Sequence, residues 1–120
     1  MHEFSLVKAV IDSVESLAEE NGWKRIEKVT LRIGAMRQVV PEIMRFAFAA
    51  ASRDSRLQGA ELDIEAVPIL VCCPRCGRKW GEERMSVLCP FCGSPDAQME
   101  QGMELNIDSI EVEDDDTKKN

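Results

Sequence analysis

The chain has no apolar run that could cross a membrane. Its longest uninterrupted apolar stretches, Phe46 to Ala51 and Ala66 to Cys73, fall far short of the roughly 20 residues a spanning helix needs. No basic n-region followed by an apolar core opens the sequence, so no secretory signal is expected and the protein should stay in the cytoplasm. Positive charge is in deficit, with 15 basic residues against 22 acidic leaving a net −7. An acidic chain repels the phosphates that generic nucleic-acid binding must neutralise. No glycine-rich phosphate loop occurs. Acidic and hydroxyl residues are scattered along amphipathic faces without a pairing of base and nucleophile, so no enzyme is expected. Histidine occurs once, as His2.

What remains is the make-up of an ordinary globular chain: 120 residues, 44% hydrophobic and 31% charged, suited to one compact domain with a small appendage. Phe4, Val7, Val10, Ile11, Val14, Leu17 and Ala18 recur at three- and four-residue steps and predict an amphipathic helix that stops at Asn21-Gly22. Val29, Leu31 and Ile33 alternate with Lys28, Thr30 and Arg32 in a strand ending at Gly34. Pro41 suits the first turn of a second helix, whose buried stripe should be Ile43, Met44, Ala47, Phe48 and Ala51. A second strand begins near Leu62 and continues into the apolar Ile69–Val71, and a third runs from Met103 with Leu105 and Ile107 inward. The phase of that third strand slips before Ile110 and Val112, which predicts a bulge or bend. An insert that leaves one strand and returns into the next is easiest if the two are antiparallel neighbours. The expectation is an α+β fold: a small mixed three-stranded sheet with two helices on one face, plus an inserted four-cysteine zinc-ribbon module.

The insert carries Cys73-Pro-Arg-Cys76 and, after twelve intervening residues, Cys89-Pro-Phe-Cys92. Two such knuckles let four sulfurs converge at about 2.3 Å on one tetrahedral ion, and soft thiolates select zinc. Gly77 and Gly93 follow the knuckles, where a tight turn favours a residue that tolerates positive φ. From Cys72 to Gly93, Arg75, Arg78, Lys79 and Arg84 outweigh Glu82 and Glu83 by two charges, which balances the −2 of a four-thiolate zinc centre. The apolar residues available to the insert, chiefly Trp80, Met85, Val87, Leu88 and Phe91, are too few for an independent core. Zinc binding worth about 10–16 kcal/mol would supply the difference. Disulfides fit poorly with an odd number of cysteines and no export signal. Four thiolates close the coordination shell, so the zinc is expected to be structural and not catalytic. Cys72 is the spare, read as a small apolar residue at a strand end, although Cys72 to Cys76 is also a permitted ligand spacing.

At the other end, Met1-His2-Glu3 offers an α-amine, two backbone amides and an imidazole within one short reach. Such nitrogens can enclose a metal in a plane, an arrangement that suits Ni²⁺ or Cu²⁺ and gives Zn²⁺ no electronic gain. From Glu111 to Asn120, five acids and two lysines read as a solvated, frayed end.

Taken together, several segments resemble the HypA/HybF family of nickel metallochaperones. They are Met1 to Ser5 opening a helix, Ile26 to Gly34, Pro41-Glu42 with Phe46 and Phe48, both CxxC knuckles, and Gly102 to Ser109. The resemblance implies Ni²⁺ as transported cargo held at Met1, His2 and Glu3, and structural Zn²⁺ at Cys73, Cys76, Cys89 and Cys92. It also implies delivery to the large subunit of a [NiFe]-hydrogenase, often with a HypB-like GTPase partner, and in some members service to urease. The implied layout is a nickel-binding α/β domain from residues 1–71 and 96–112, a zinc-binding domain at 72–95, and a disordered acidic tail at 113–120. A zinc-ribbon protein-interaction module without nickel delivery is the alternative reading, and in it His2 would be dispensable.

Overall fold

A computed structural model describes residues 3–81, 84 and 88–113. The terminal Met1 and His2, the insert residues Met85 and Val87, and the tail from Asp114 onward therefore lie outside the described residues. The fold is α+β. Its elements run α1 (Glu3–Asn21), β1 (Ile26–Gly34), a 3-10 turn (Ala35–Arg37), α2 (Pro41–Ala51), β2 (Glu61–Val67), β3 (Leu70–Cys72), β4 (Lys79–Trp80), β5 (Gln98–Gln101) and β6 (Leu105–Val112). Among the described residues no helix is long and apolar enough to cross a membrane.

The strands form two three-stranded sheets, ordered β2-β1-β6 and β4-β3-β5. The chain divides into two compact units, one of residues 1–31, 39–65 and 107–120, the other of residues 32–38 and 66–106.

In the first unit α1 packs on α2. Val7, Val10, Ile11, Val14 and Ala18 of α1 and Met44, Ala47 and Phe48 of α2 are buried, as are Val29 and Leu31 of β1. Thr30 is buried as well, although the alternation places it outward. It lies in the central strand, flanked on both edges. The apolar stripes are narrower than their periodicity suggests: Phe4, Leu17 and Ile43 are exposed, and Phe46 is 76% exposed. The loop after α2 is tied back by Glu15, whose carboxylate accepts the Arg56 N–H at 2.8 Å and pairs with its guanidinium.

Two strand expectations need correction. The expected second strand is two strands in different sheets, because Pro68, which has no N–H to give a ladder, interrupts it. The partners around the insert also differ: β6 lies beside β1 and not beside β2, while the antiparallel neighbours are β3 and β5, pairing Val71 with Met99 and Cys72 with Gln98. Met103 falls between strands and is exposed. The phase slip in β6 is present, as the consecutive exposed residues Asp108 and Ser109.

The second unit encloses a small core of Ile69, Val71, Cys73, Trp80 and Cys89, with Ala35 and Ala97 against it. Its chain crosses itself closely at Gly34. The Gly34 and Met36 N–H groups donate to the carbonyls of Glu104 and Gly102, each at 2.8 Å, and the Arg37 guanidinium donates to the Met103 carbonyl at 2.8 Å. A Cβ on Gly34 would come within 2.1 Å of the Gly102 backbone. Gly34→Ala should therefore destabilise the protein by about 3 kcal/mol or more, since backbone cannot move aside as a flexible side chain can. Urea unfolding of the variant beside the native protein measures this, and an unchanged midpoint would remove the crossing as a constraint.

Candidate metal centre

The two knuckles occupy equivalent turns. Gly77 and Gly93 have φ of +79° and +78°, the left-handed region that an L side chain adopts only with strain. This lets the Gly77 N–H donate to the Cys73 carbonyl at 2.8 Å and the Gly93 N–H to the Cys89 carbonyl at 2.9 Å. Each turn aims backbone N–H groups at its first sulfur, as seen in the Phe91 and Cys92 N–H groups at 3.3 and 3.4 Å from Cys89 Sγ.

Cys73, Cys76, Cys89 and Cys92 converge, their sulfurs all within 4.8 Å of one another. Cys73 and Cys89 are buried, Cys76 and Cys92 exposed. The close pairs run across the knuckles, Cys73 with Cys92 and Cys76 with Cys89, each at 3.7 Å. A tetrahedron with metal–sulfur bonds of about 2.3 Å has edges of about 3.8 Å, so the donor set fits zinc in both chemistry and spacing.

The electrostatics also call for a cation. The Cys76 and Arg75 N–H groups lower the Cys73 thiol against the opposing effect of burial. Burial pushes the Cys89 thiol up, but the Cys92 and Phe91 N–H groups outweigh it and bring the group down to about 7. The Ser94 N–H pulls Cys92 down, yet burial and the adjacent Cys73 and Cys89 sulfurs prevail and push it up to about 11. Two sulfurs are thus prepared as thiolates while a third resists ionising beside them. A divalent ion at the centre removes that conflict.

Cys72 lies outside the cluster. It is half-buried, and its thiol is pushed up first by burial and then by the Glu100 carboxylate. Around the knuckles, Trp80 meets Phe91 edge-on at 6.1 Å, and the guanidiniums of Arg78 and Arg84 stand 5.1 and 5.4 Å from the Phe91 ring centre. Phe91 nevertheless stays exposed and does not enter the core. The Arg75–Asp96 and Lys79–Glu100 ion pairs complete the surface.

Of the three N-terminal residues, Glu3 is described, in the first turn of α1. It is 5% exposed, and its Oε2 accepts the Val40 N–H at 2.9 Å. That bond, ahead of one from its own N–H, lowers its carboxyl below the usual range. The bond to Val40 was not foreseen. The available signal was a valine ahead of Pro41, a helix start with no capping oxygen of its own. Beside Glu3, an open groove of about 410 Å³ is lined by Phe4, Ile43 and Phe46, three of the exposed apolar residues of the two helices; Leu17 lies outside it.

A family model described as hydrogenase/urease nickel incorporation, metallochaperone, hypA, matches residues 1–112. The hydrogenase maturation factor HypA of Syntrophus aciditrophicus is 36% identical over 114 residues, covering 94% of this chain and 100% of that protein. Its counterpart from Aquifex aeolicus is 34% identical over 113 residues, covering 94% and 98%. Among solved structures, the Ni metallochaperone HypA from Helicobacter pylori superposes with a TM-score of 0.67 at 26% identity, over 93% of this chain and 97% of that one. A further HypA solution structure gives 0.72 at 27% identity, over 94% and 97%. Matched in sequence along nearly its whole length and in fold by solved members, the chain belongs to the HypA family of hydrogenase and urease nickel-incorporation metallochaperones.

Proposed function

We propose that this chain binds Ni²⁺ through Met1, His2 and Glu3 and delivers it during maturation of a [NiFe]-hydrogenase, with Zn²⁺ held structurally by Cys73, Cys76, Cys89 and Cys92. The observation that carries this reading is a family match from residue 1 to residue 112, which takes in the terminal donors and all four cysteines. The terminus offers an amine, amides and one imidazole to a tetragonal ion, and the four converging sulfurs suit a tetrahedral one. The two centres therefore differ in the ion they select. A nickel-binding α/β domain of residues 1–71 and 96–112 would handle cargo, and a zinc-binding domain of residues 72–95 would be fixed by its metal. The partners this role calls for are a HypB-like GTPase and the hydrogenase large subunit. Delivery needs no catalytic group, since the protein supplies metal and transforms no substrate.

Purified protein should carry one zinc per chain. Cys73→Ser and Cys89→Ser should lose it together with the order of the insert, because breaking the site removes folding energy from a segment with a small core. Cys72→Ser should keep it. Elemental analysis decides, and full occupancy in Cys73→Ser with loss in Cys72→Ser would exchange the two cysteines.

The nickel site depends on a free amine. One extra residue ahead of Met1, or His2→Ala, should weaken nickel binding by more than the roughly 10–100-fold that losing an outer partner of a ligand costs. Both variants should keep zinc. In cells making a nickel-iron hydrogenase, either change should lower its activity, with partial rescue by excess nickel. Native-like nickel affinity in both variants would leave the zinc-ribbon interaction module as the better reading.

Nickel affinity should also fall as pH drops. The imidazole and the terminal amine bind only when unprotonated, and their ordinary pKa values are near 6.5 and 7.7–8.0. Loss of affinity should begin near pH 8 and steepen below about 6.5. Calorimetric titration across that range, with zinc content followed in parallel, tests this; a flat profile excludes these ligands.

A further inference from the structure

We propose that Arg78 and Arg84, held against Phe91 on the cysteine-rich insert, form a docking site for an acidic segment of another protein, one in which an aspartate or glutamate stands beside an apolar side chain. The site is independent of the nickel reading, since no residue of the N-terminus takes part in it.

The first observation is how the insert disposes of its basic residues. Four lie between Cys73 and Cys89 in the chain. Arg75 is 2.9 Å from the carboxylate of Asp96, and Lys79 is 3.1 Å from that of Glu100. Arg78 and Arg84 have no carboxylate partner among the described residues. Their guanidiniums instead stand over the Phe91 ring, 5.1 and 5.4 Å from its centre, and both side chains are exposed.

The second observation is the ring itself. Phe91 is 39% exposed and meets Trp80 edge-on at 6.1 Å, while Trp80 is 4% exposed. An exposed ring is therefore backed by a buried one, and two arginines gather on it. A guanidinium seated over a ring is attracted by the π-system yet keeps N–H donors at its edge for a ligand. A carboxylate is the side chain whose two oxygens match such a fork. The ring also restricts both arginines before a ligand arrives, so less freedom is lost on binding. Arginine and aromatic residues together are the usual make-up of the energetic centre of an interface.

Charge selects the class of partner. The chain carries −7 overall, and a field of that sign opposes an extended polyanion such as nucleic acid, whose binding needs many phosphates neutralised. Two donor forks suit one or two carboxylates. Phe91 supplies apolar surface beside them, which calls for an apolar neighbour next to the acid.

The test uses the full-length protein and three labelled probes: a short peptide alternating glutamate and leucine, its glutamine-and-leucine counterpart, and single-stranded DNA. Affinity is read by fluorescence anisotropy, and the site by the arginine side-chain N–H signals in nuclear magnetic resonance. The glutamate peptide should bind and move the signals of Arg78 and Arg84, and the glutamine peptide should bind about tenfold more weakly. Arg78→Ala and Arg84→Ala should each weaken the glutamate peptide about tenfold. Arg78→Lys and Arg84→Lys keep the charge without the planar fork and should cost about threefold. Arg75→Ala should bind as native, because that guanidinium is already committed to Asp96. Zinc content, measured in parallel, should not change. If an alanine variant loses metal, the lysine variants and the signals of the native protein decide. Arginine signals that stay in place on adding the glutamate peptide would overturn the proposal. An equal loss in Arg75→Ala, or full affinity in both lysine variants, would reduce the site to unspecific charge and overturn it as well. DNA bound as tightly as the glutamate peptide would make this a nucleic-acid surface instead.

Discussion

Four sulfurs lie within 4.8 Å of one another in the second unit, where neighbouring thiolates would repel one another unless a cation shared the space. Much else in the unit answers to this constraint. The knuckle turns adopt left-handed geometry at Gly77 and Gly93 so that N–H groups face the sulfurs. Cys73 and Cys89 are buried with Ile69, Val71 and Trp80, so the cysteine cluster and the hydrophobic core are one object. Ile69, Val71 and Trp80 are the large apolar side chains of that cluster, which is a small core. The basic residues of the knuckle region find their own partners: Arg75 and Lys79 lie in ion pairs, Arg78 and Arg84 against Phe91.

The first unit is organised differently. Its core comes from two helices and a central strand that buries even its threonine, a volume of apolar contact that needs no ion. Polar groups enter that interior at few points. Glu3 is the most buried of them in α1, and its bond to Val40 joins the opening turns of both helices. Next to it, Phe4, Ile43 and Phe46 leave an apolar groove open to solvent.

The helices were legible because periodicity and end signals agree: Asn21-Gly22 closes α1 and Pro41 opens α2 where the structure has them. The four-cysteine cluster was legible because zinc knuckles impose a spacing that little else imposes. The strand pattern was less so. Pro68 separates two apolar stretches that alternation alone joins, and the order β2-β1-β6 depends on pairings distant in sequence that no local pattern records. The narrowness of the buried stripes was hidden for a similar reason. Phe4 and Ile43 have the right spacing for a core face, but they sit at helix starts, where no further element among the described residues covers them. Glu3 bonded to Val40 is a contact between residues far apart in sequence, visible only as an uncapped helix awaiting a partner.

The strand order also bears on how the chain is made. β1 lies between β2 and β6, yet β6 is the last element, ending at Val112. A ribosome delivers the four cysteines by residue 92, before the strand that closes the first sheet exists. Domains form as their residues emerge, so the knuckles can gather a metal ion while β1 still has one edge bare. The insert's own sheet, through β5, is then complete before β6 arrives. Among the described strands, the one that closes the first sheet is thus synthesised after every strand of the second.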